Sequence, residues 1–231
     1  MYREWTPDPA LAGRVACLWT SEATTARTQL VVPDGCVDLI WSPGGPHVAG
    51  PDTGPMSVPI SPGDRYAGVR FRPGAVGEVF GVPVEALRDQ RVPLSDLGGL
   101  PGLPLDAEPP GGMTAEILQR ALAVRLRAAP GPDPAAPAIA EALRAGRSVG
   151  EVAWDLGLGE RQLHRRCVRA FGYGPKVLQR VVRFQRALRL AGTGLRLAEV
   201  ALASGYADQA HMSNEVRRLA GVSLSRLLDR P

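Results

Sequence analysis

The sequence predicts an α+β protein with a β-rich N-terminal half and an all-α C-terminal half. Three observations support this fold class. Short apolar runs separated by Pro and Gly fill the first hundred residues, longer segments with helical periodicity follow residue 137, and that second half contains an internal repeat. The expected helical half is two repeated helix pairs joined by one long helix.

The composition is that of an ordinary globular protein. The chain has 231 residues, of which 45% are hydrophobic and 22% are charged, so there is enough chain for more than one core. No apolar run reaches 18 residues, so we expect neither a membrane-spanning helix nor a membrane partner. The opening MYREWTPDPA lacks the apolar stretch of a secretory signal. Three widely spaced cysteines suit reduced thiols, and we expect a cytoplasmic protein.

The N-terminal region, residues 1–129, is predicted to be a β-rich sensory or interaction domain with a terminal helix. Apolar runs such as TQLVV, CVDLIW and YAGVRF alternate with PDG and RPG turns. Short helices are expected at Val76–Phe80 and Glu85–Arg88. The tract 114–129 predicts a longer helix capped by Thr114; it either packs on the β domain or forms a dimer helix.

The segment PGPDPAAP (130–137) predicts a linker, because it is rich in Pro and Ala and has no periodicity. The remaining residues, 138–231, form the helical half. Helix boundaries are expected where capping residues and glycines recur: Pro137 to Gly146, Ser148 with Glu151 to Gly157, Glu160 to Gly172, Pro175 to Gly192, LAEVALAS to Gly205, and Asp208 to Gly221.

The internal repeat consists of two helix pairs with short turns. Glu151-Val152-Ala153 with Gly157 corresponds to Glu199-Val200-Ala201 with Gly205 at an offset of 48 residues. After a one-residue insertion, Leu163, Cys167 and Gly172 correspond to Met212, Val216 and Gly221. Small residues at a tight crossing of two helices indicate a helix-turn-helix motif, and two copies in register strengthen that interpretation.

The second helix of the first motif has two contrasting faces. Leu163, Cys167 and Phe171 follow the i, i+4, i+8 spacing of a buried stripe. The opposite face carries Arg161, Gln162, His164, Arg165 and Arg169. Arg can bond guanine bidentately and Gln can bond adenine, so this face predicts contact with the DNA major groove. The alternative is an ordinary solvated helix face.

In the second motif, Met212 and Val216 belong to the predicted core. The outward-facing candidates for base contact are Gln209, His211, Ser213 and Asn214. Arg217 and Arg218 are candidates for phosphate contact.

Charge is distributed unevenly between the two halves. Residues 135–231 contain 16 basic and 8 acidic side chains, a balance of +8, whereas residues 1–134 contain 11 basic and 15 acidic ones, a balance of −4. A basic half predicts an anionic partner, and double-stranded DNA fits the motifs.

The region 138–228 resembles the DNA-binding domain of AraC/XylS-type transcriptional regulators. The resemblance lies in RQLHRR (161–166), FGYGPK (171–176), RVVRFQRALRL (180–190) and ALASGYADQAHMSNEVRRLAGVS (201–223). It implies two recognition helices that enter successive major grooves. The chain departs from the family pattern at Cys167 and Val216, where an aromatic residue is usual, at Asn214 in place of an arginine, and at Leu224 in place of a proline.

The first half resembles the small β domain that precedes this DNA-binding unit in a subset of these regulators, through VPDGCVDLIW (32–41), VAGPDTG (48–54), GVRFRPGA (68–75) and VPLSDL (92–97). The resemblance implies a sensory domain, so a small-molecule effector is an expected partner. No metal site, cofactor or catalytic group is predicted, since the first half contains one histidine, His47, and no recognisable catalytic motif.

The sequence therefore predicts a sequence-specific DNA-binding transcription regulator that is not an enzyme. The rival hypotheses are an enzyme or DNA-repair protein with a DNA-targeting domain and a non-specific architectural DNA binder. A homodimer is compatible with two motifs but is not required, and contact with RNA polymerase is expected if the protein is an activator.

Overall fold

The computed structural model describes residues 1–98 and 115–229, and it confirms the α+β fold class. An antiparallel β-sheet occupies the first part, and helices form the rest. The strands are β1 (Tyr2–Trp5), β2 (Val15–Glu22), β3 (Arg27–Val31), β4 (Asp38–Ser42), β5 (Gly45–Ala49), β6 (Met56–Ile60), β7 (Arg65–Phe71) and β8 (Arg91–Pro93).

The main sheet has six strands in the order β1-β2-β7-β4-β5-β8, and β3 pairs with β6 in a separate two-stranded ribbon. Every pairing is antiparallel. Side chains alternate across the sheet, so Leu39 and Trp41 of β4 and Val69 and Phe71 of β7 point to one buried face. The ring of Phe80 meets Phe71 edge-on at a centroid distance of 5.7 Å.

The helix α1 (Ala115–Ala128) closes this core, since Ala121 and Leu122 are buried in the same apolar cluster as the sheet residues. Of the two expected placements, the structure therefore has the helix on the β domain. The predicted cap, Thr114, lies outside the described residues.

The second part of the chain contains seven helices within the described range. They are α2 (Ala136–Arg144), α3 (Val149–Asp155), α4 (Glu160–Phe171), α5 (Pro175–Ala191), α6 (Leu197–Ala203), α7 (Gln209–Ala220) and α8 (Leu224–Leu228). The pairs α3–α4 and α6–α7 are the two copies of the repeat, and α5 joins them.

The long helix α5 contributes to two apolar clusters. Leu178 and Val181 pack with α2, α3 and α4, whereas Phe184 and Ala187 pack with α6, α7 and α8. Each helix pair is thus built on its own half of α5, which fixes the two motifs relative to one another.

One local expectation is wrong, and another is confirmed with a shift of one residue. Val76–Phe80 forms turns and no helix, because Gly77 and Gly81 have positive φ values of 60° and 74°. Glu85–Arg88 becomes a 3-10 helix at Val84–Leu87. In addition, α2 begins at Ala136, so the last two residues of the expected linker 130–137 are helical. The division into domains at that linker stays a prediction.

Among the described residues, no helix combines the length and the apolar character needed to cross a membrane.

Candidate nucleic-acid interface

The first helix pair starts at a capping box. The Ser148 hydroxyl accepts a hydrogen bond from the Glu151 N–H at 3.2 Å, and the Glu151 carboxylate accepts one from the Ser148 N–H at 2.7 Å. These bonds satisfy amides that the first helical turn would otherwise leave unpaired, and they lower the pKa of Glu151. Gly157, at φ 61°, then turns the chain into α4.

The faces of α4 agree with the predicted division. Leu163, Cys167 and Phe171 are each at most 1% exposed. The predicted DNA-contact residues on the other face are all exposed: Arg161, Gln162, His164, Arg165 and Arg169. Burial raises the pKa of the Cys167 thiol to about 12, so this side chain is a neutral packing group.

Two of these exposed side chains also have local contacts. Oε1 of Gln162 accepts a hydrogen bond from the Gly159 N–H at 2.9 Å, which leaves the amide NH₂ free for other partners. The His164 ring lies against Gly174, where an added Cβ would approach Nε2 to 2.8 Å. A bidentate contact between Gln162 and a base would therefore have to use the second lone pair of Oε1 together with the free NH₂ group.

A neighbouring arginine has a structural role instead. Arg166 donates to Asp133 at 2.9 Å and fastens α4 to the segment before α2. Arg166 therefore differs from the exposed arginines of α4, because it is partly buried and its guanidinium is bonded to Asp133.

The second helix pair repeats the arrangement with different capping chemistry. Asp208 Oδ1 accepts a hydrogen bond from the His211 N–H at 2.7 Å at the start of α7. Met212 and Val216 are buried as expected. The predicted contact residues Gln209, His211, Asn214, Arg217 and Arg218 are exposed, and Ser213 is half-buried.

His211 is held by its surroundings. Its ring meets Tyr206 edge-on at 5.3 Å, its Nδ1 lies 3.5 Å from the Ala207 N–H, and its Nε2 lies 4.0 Å from Glu215. Much of its hydrogen-bonding capacity is therefore directed at the turn between α6 and α7. The roles of all eleven candidate residues in DNA contact stay predictions.

Glu215 is the residue that fixes α7 to the long helix. Its carboxylate accepts three hydrogen bonds from the Arg183 guanidinium, at 2.7, 2.8 and 3.3 Å, and Arg180 lies 3.6 Å away. Arg183 also stacks over the Tyr206 ring at 4.5 Å. Helical periodicity did not single out this group, because its members lie on α5, on α7 and in the turn before α7, and they meet only in the fold.

The N-terminal part contacts helix α4. Glu78 forms an ion pair with Arg169 at 2.7 Å. A groove beside this pair is lined by Glu78, Pro83, Glu85, His164, Arg165, Val168 and Arg169. Sequence reasoning missed these acidic neighbours, since no motif connects residues about ninety positions apart.

The polar residues of the β domain form ion pairs. Arg70 donates to both carboxylate oxygens of Asp38 at 3.0 Å, and Asp34 lies 3.8 Å from Arg70. Asp52 and Arg91 form a second pair at 2.6 Å. Within residues 1–98 and 115–229, no cluster of three His, Cys, Asp or Glu side chains is arranged to hold a metal ion.

Comparisons with protein families match the two parts of the chain separately. Residues 152–230 match a family described as a helix-turn-helix domain. Residues 3–93 match a domain of unknown function, DUF6597. No curated protein sequence matches the chain.

Comparison with solved structures gives several matches, and the three described here all have TM-scores under 0.5. A probable AraC family transcriptional regulator from Rhodopseudomonas palustris is 24% identical, with a TM-score of 0.35, over 40% of this chain and 94% of that one. Apo ToxT from Vibrio cholerae is 10% identical, with a TM-score of 0.46, over 91% and 96% of the two chains. Wild-type ToxT with a bound unsaturated fatty acid is 11% identical, with a TM-score of 0.47, over 90% and 93%.

The paired capped helices, their buried seams and the family match together make residues 152–230 a helix-turn-helix domain, a class that binds DNA and regulates transcription. This match confirms the helix-turn-helix domain that the sequence resemblance implied, and a domain of unknown function precedes it.

Proposed function

We propose that the protein is a sequence-specific transcription regulator that reads duplex DNA with α4 and α7. The observation that carries the proposal is the duplication itself. Two helix pairs with matching buried seams stand on one long helix, and each presents polar side chains on its second helix. This is the division that a recognition helix needs, with one face for the core and one for the groove.

The charges on these faces favour DNA as the partner. Among the described residues, Arg161, Arg165, Arg217 and Arg218 form no ion pair with an acidic side chain, so their guanidinium groups are available to phosphates or bases. Phosphate contacts supply most of the affinity, and a few base contacts select the sequence.

The first motif is proposed to contribute more to base selection than the second. Arg161 and Arg165 are exposed and can each bond guanine bidentately. In α7, His211 is engaged with Tyr206 and Ser213 is half-buried. Gln209 and Asn214 remain for base contact there, and Arg217 and Arg218 for the backbone.

The N-terminal domain is proposed to supply regulation through a small molecule or a partner that acts on it. Its direct contact with α4 through Glu78 supports this role, because a change in the β domain has a short physical route to a recognition helix. No catalytic step is part of the proposal.

The experiment is to measure binding of Arg165→Ala to the protein's own upstream DNA and to scrambled DNA. We expect a loss of roughly 1–3 kcal/mol on the specific site if Arg165 reads a base. Arg144→Ala is the matched control, because it removes the same charge from α2, where Arg144 is paired with Glu141. Equal, small losses for both variants on both duplexes would reject Arg165 as a base-reading residue.

A further inference from the structure

The contact between the β domain and α4 lies on the face proposed to meet DNA. Arg169 is on the last turn of α4, and its Nη2 is 2.7 Å from Oε1 of Glu78. Both side chains are accessible to solvent, at 76% and 44% exposure, so the pair can open without unfolding either part.

A second carboxylate lies on the same side. Glu85, on the 3-10 helix Val84–Leu87, lines one groove with Glu78, His164, Arg165 and Arg169. Two carboxylates and two arginines thus line the same groove. Carboxylate and phosphate groups both accept charge-assisted hydrogen bonds from guanidinium, so these carboxylates can occupy positions that DNA phosphates would otherwise take. We name Glu78 and Glu85 the acidic patch.

Close packing fixes the position of the acidic patch. The turn after α4 fits against the β domain at Gly172, where an added Cβ would come within 2.8 Å of Pro51 Cγ and 3.2 Å of the Val84 carbonyl oxygen. Arg88 donates to the Gly172 carbonyl at 3.4 Å.

A second anchor lies further along the chain, where Gln185 of α5 donates to the Pro33 carbonyl at 2.7 Å. The acidic patch therefore lies at a packed interface between the β domain and the helical half of the chain.

We propose that the acidic patch competes with DNA phosphates for Arg165 and Arg169. The N-terminal domain, when it is packed against α4, thereby lowers the DNA affinity of the first motif. A signal that separates the β domain from α4 would free Arg169 from Glu78, would remove both carboxylates from the groove beside Arg165 and would raise that affinity. This inference rests on the proposed function, because it requires α4 to meet DNA.

The test is a double-mutant cycle on DNA affinity in the full-length protein. Glu78→Gln is measured alone and in the Arg169→Ala background, on the upstream duplex and on a scrambled duplex of equal length. We expect Glu78→Gln alone to tighten binding about 2- to 5-fold, the range for an exposed ion pair, on both duplexes, because phosphates are common to both. In the Arg169→Ala background the gain should fall to that of the control.

The control is Glu22→Gln, which removes the same charge from the β domain at its exposed pair with Arg65. An equal gain for Glu78→Gln and Glu22→Gln, or the same Glu78→Gln gain with and without Arg169, would mean a general charge effect and would overturn the competition.

Arg161→Ala separates this failure from failure of the proposed function. Arg161 lies on the first turn of α4, outside the residues that line the groove. If Arg161→Ala weakens binding while Glu78→Gln behaves as Glu22→Gln does, only the acidic patch is rejected. If Arg161→Ala and Arg165→Ala both bind as the unmodified protein does, the DNA-reading role of α4 is rejected as well.

Discussion

At the scale of single residues, Cys167 shows how the core of the first motif tolerates an unusual side chain. The thiol is completely buried in the apolar cluster that α4 shares with the long helix α5. AraC/XylS-type regulators, which this region resembles, usually have an aromatic residue at this position. Burial raises its pKa to about 12, so almost none of it is thiolate at neutral pH. Since the thiolate is the reactive form, the side chain is protected from reaction because reagents cannot reach it and because the thiol stays protonated.

We therefore expect Cys167 to be the slowest of the three cysteines to react with iodoacetamide in the native protein. Cys17 and Cys36 are both partly exposed and should react before Cys167. Peptide mapping by mass spectrometry measures each site, and protein unfolded in guanidinium chloride, where all three should react, is the control. Labelling of native Cys167 as fast as Cys17 would contradict the packing described for α4.

Periodicity predicts which residues of α4 and α7 are buried, because burial depends mainly on the helical repeat. It identifies Leu163, Cys167, Met212 and Val216 correctly. It does not predict that Gln162 caps its own helix or that His211 packs on Tyr206, because those contacts depend on the geometry of the preceding turn.

At the scale of elements, the position of α7 depends on the ion pair between Glu215 and Arg183. Glu215 is 11% exposed and Arg183 is 21% exposed. Loss of one partner costs roughly 3–5 kcal/mol for a fully buried pair and below about 1 kcal/mol for an exposed one. This pair lies between the two limits.

Glu215→Gln should accordingly lower the free energy of unfolding by about 1–3 kcal/mol, because Arg183 loses its counter-charge near the Tyr206 ring. Urea unfolding followed by circular dichroism measures the change. Glu141→Gln is the control, since Glu141 is 79% exposed in its pair with Arg144. A cost for Glu215→Gln no larger than for Glu141→Gln would show that α7 is held by apolar packing alone.

Helix boundaries in the second half were predictable to within a residue or two, because capping residues and glycines mark them in the sequence. Ser148, Asp208, Gly172 and Gly221 all have the expected roles. The first half was less predictable. Short strands pair with partners far along the chain, and the turns at 76–80 depend on glycine conformations that apolar spacing does not report.

At the scale of the whole molecule, the two parts of the chain meet closely at Gly172, where the absence of a side chain leaves room for the β domain. Gly172 has φ 80° and faces Pro51 across the interface, whereas Gly157 has φ 61° and would place its Cβ in open space. Alanine at either position adopts the left-handed region at a cost of roughly 1–2 kcal/mol. Only at position 172 does it also collide with the other part of the chain.

Gly172→Ala should therefore lower the melting temperature more than Gly157→Ala and should expose the segment 130–137 to proteases. Thermal unfolding and limited proteolysis measure the two effects, with Gly157→Ala as the control for backbone strain. Equal effects of the two variants would argue that the interface at Gly172 is loose.

Sequence-specific DNA binding by α4 and α7 is tested most directly by comparing the affinities for two duplexes. Fluorescence anisotropy compares binding of the full-length protein to its own upstream DNA and to scrambled DNA over a salt series. We predict a clear preference for the upstream duplex and an affinity that falls steeply with salt, as arginine–phosphate contacts require. Equal affinity for both duplexes at every salt concentration would contradict sequence-specific reading by α4 and α7.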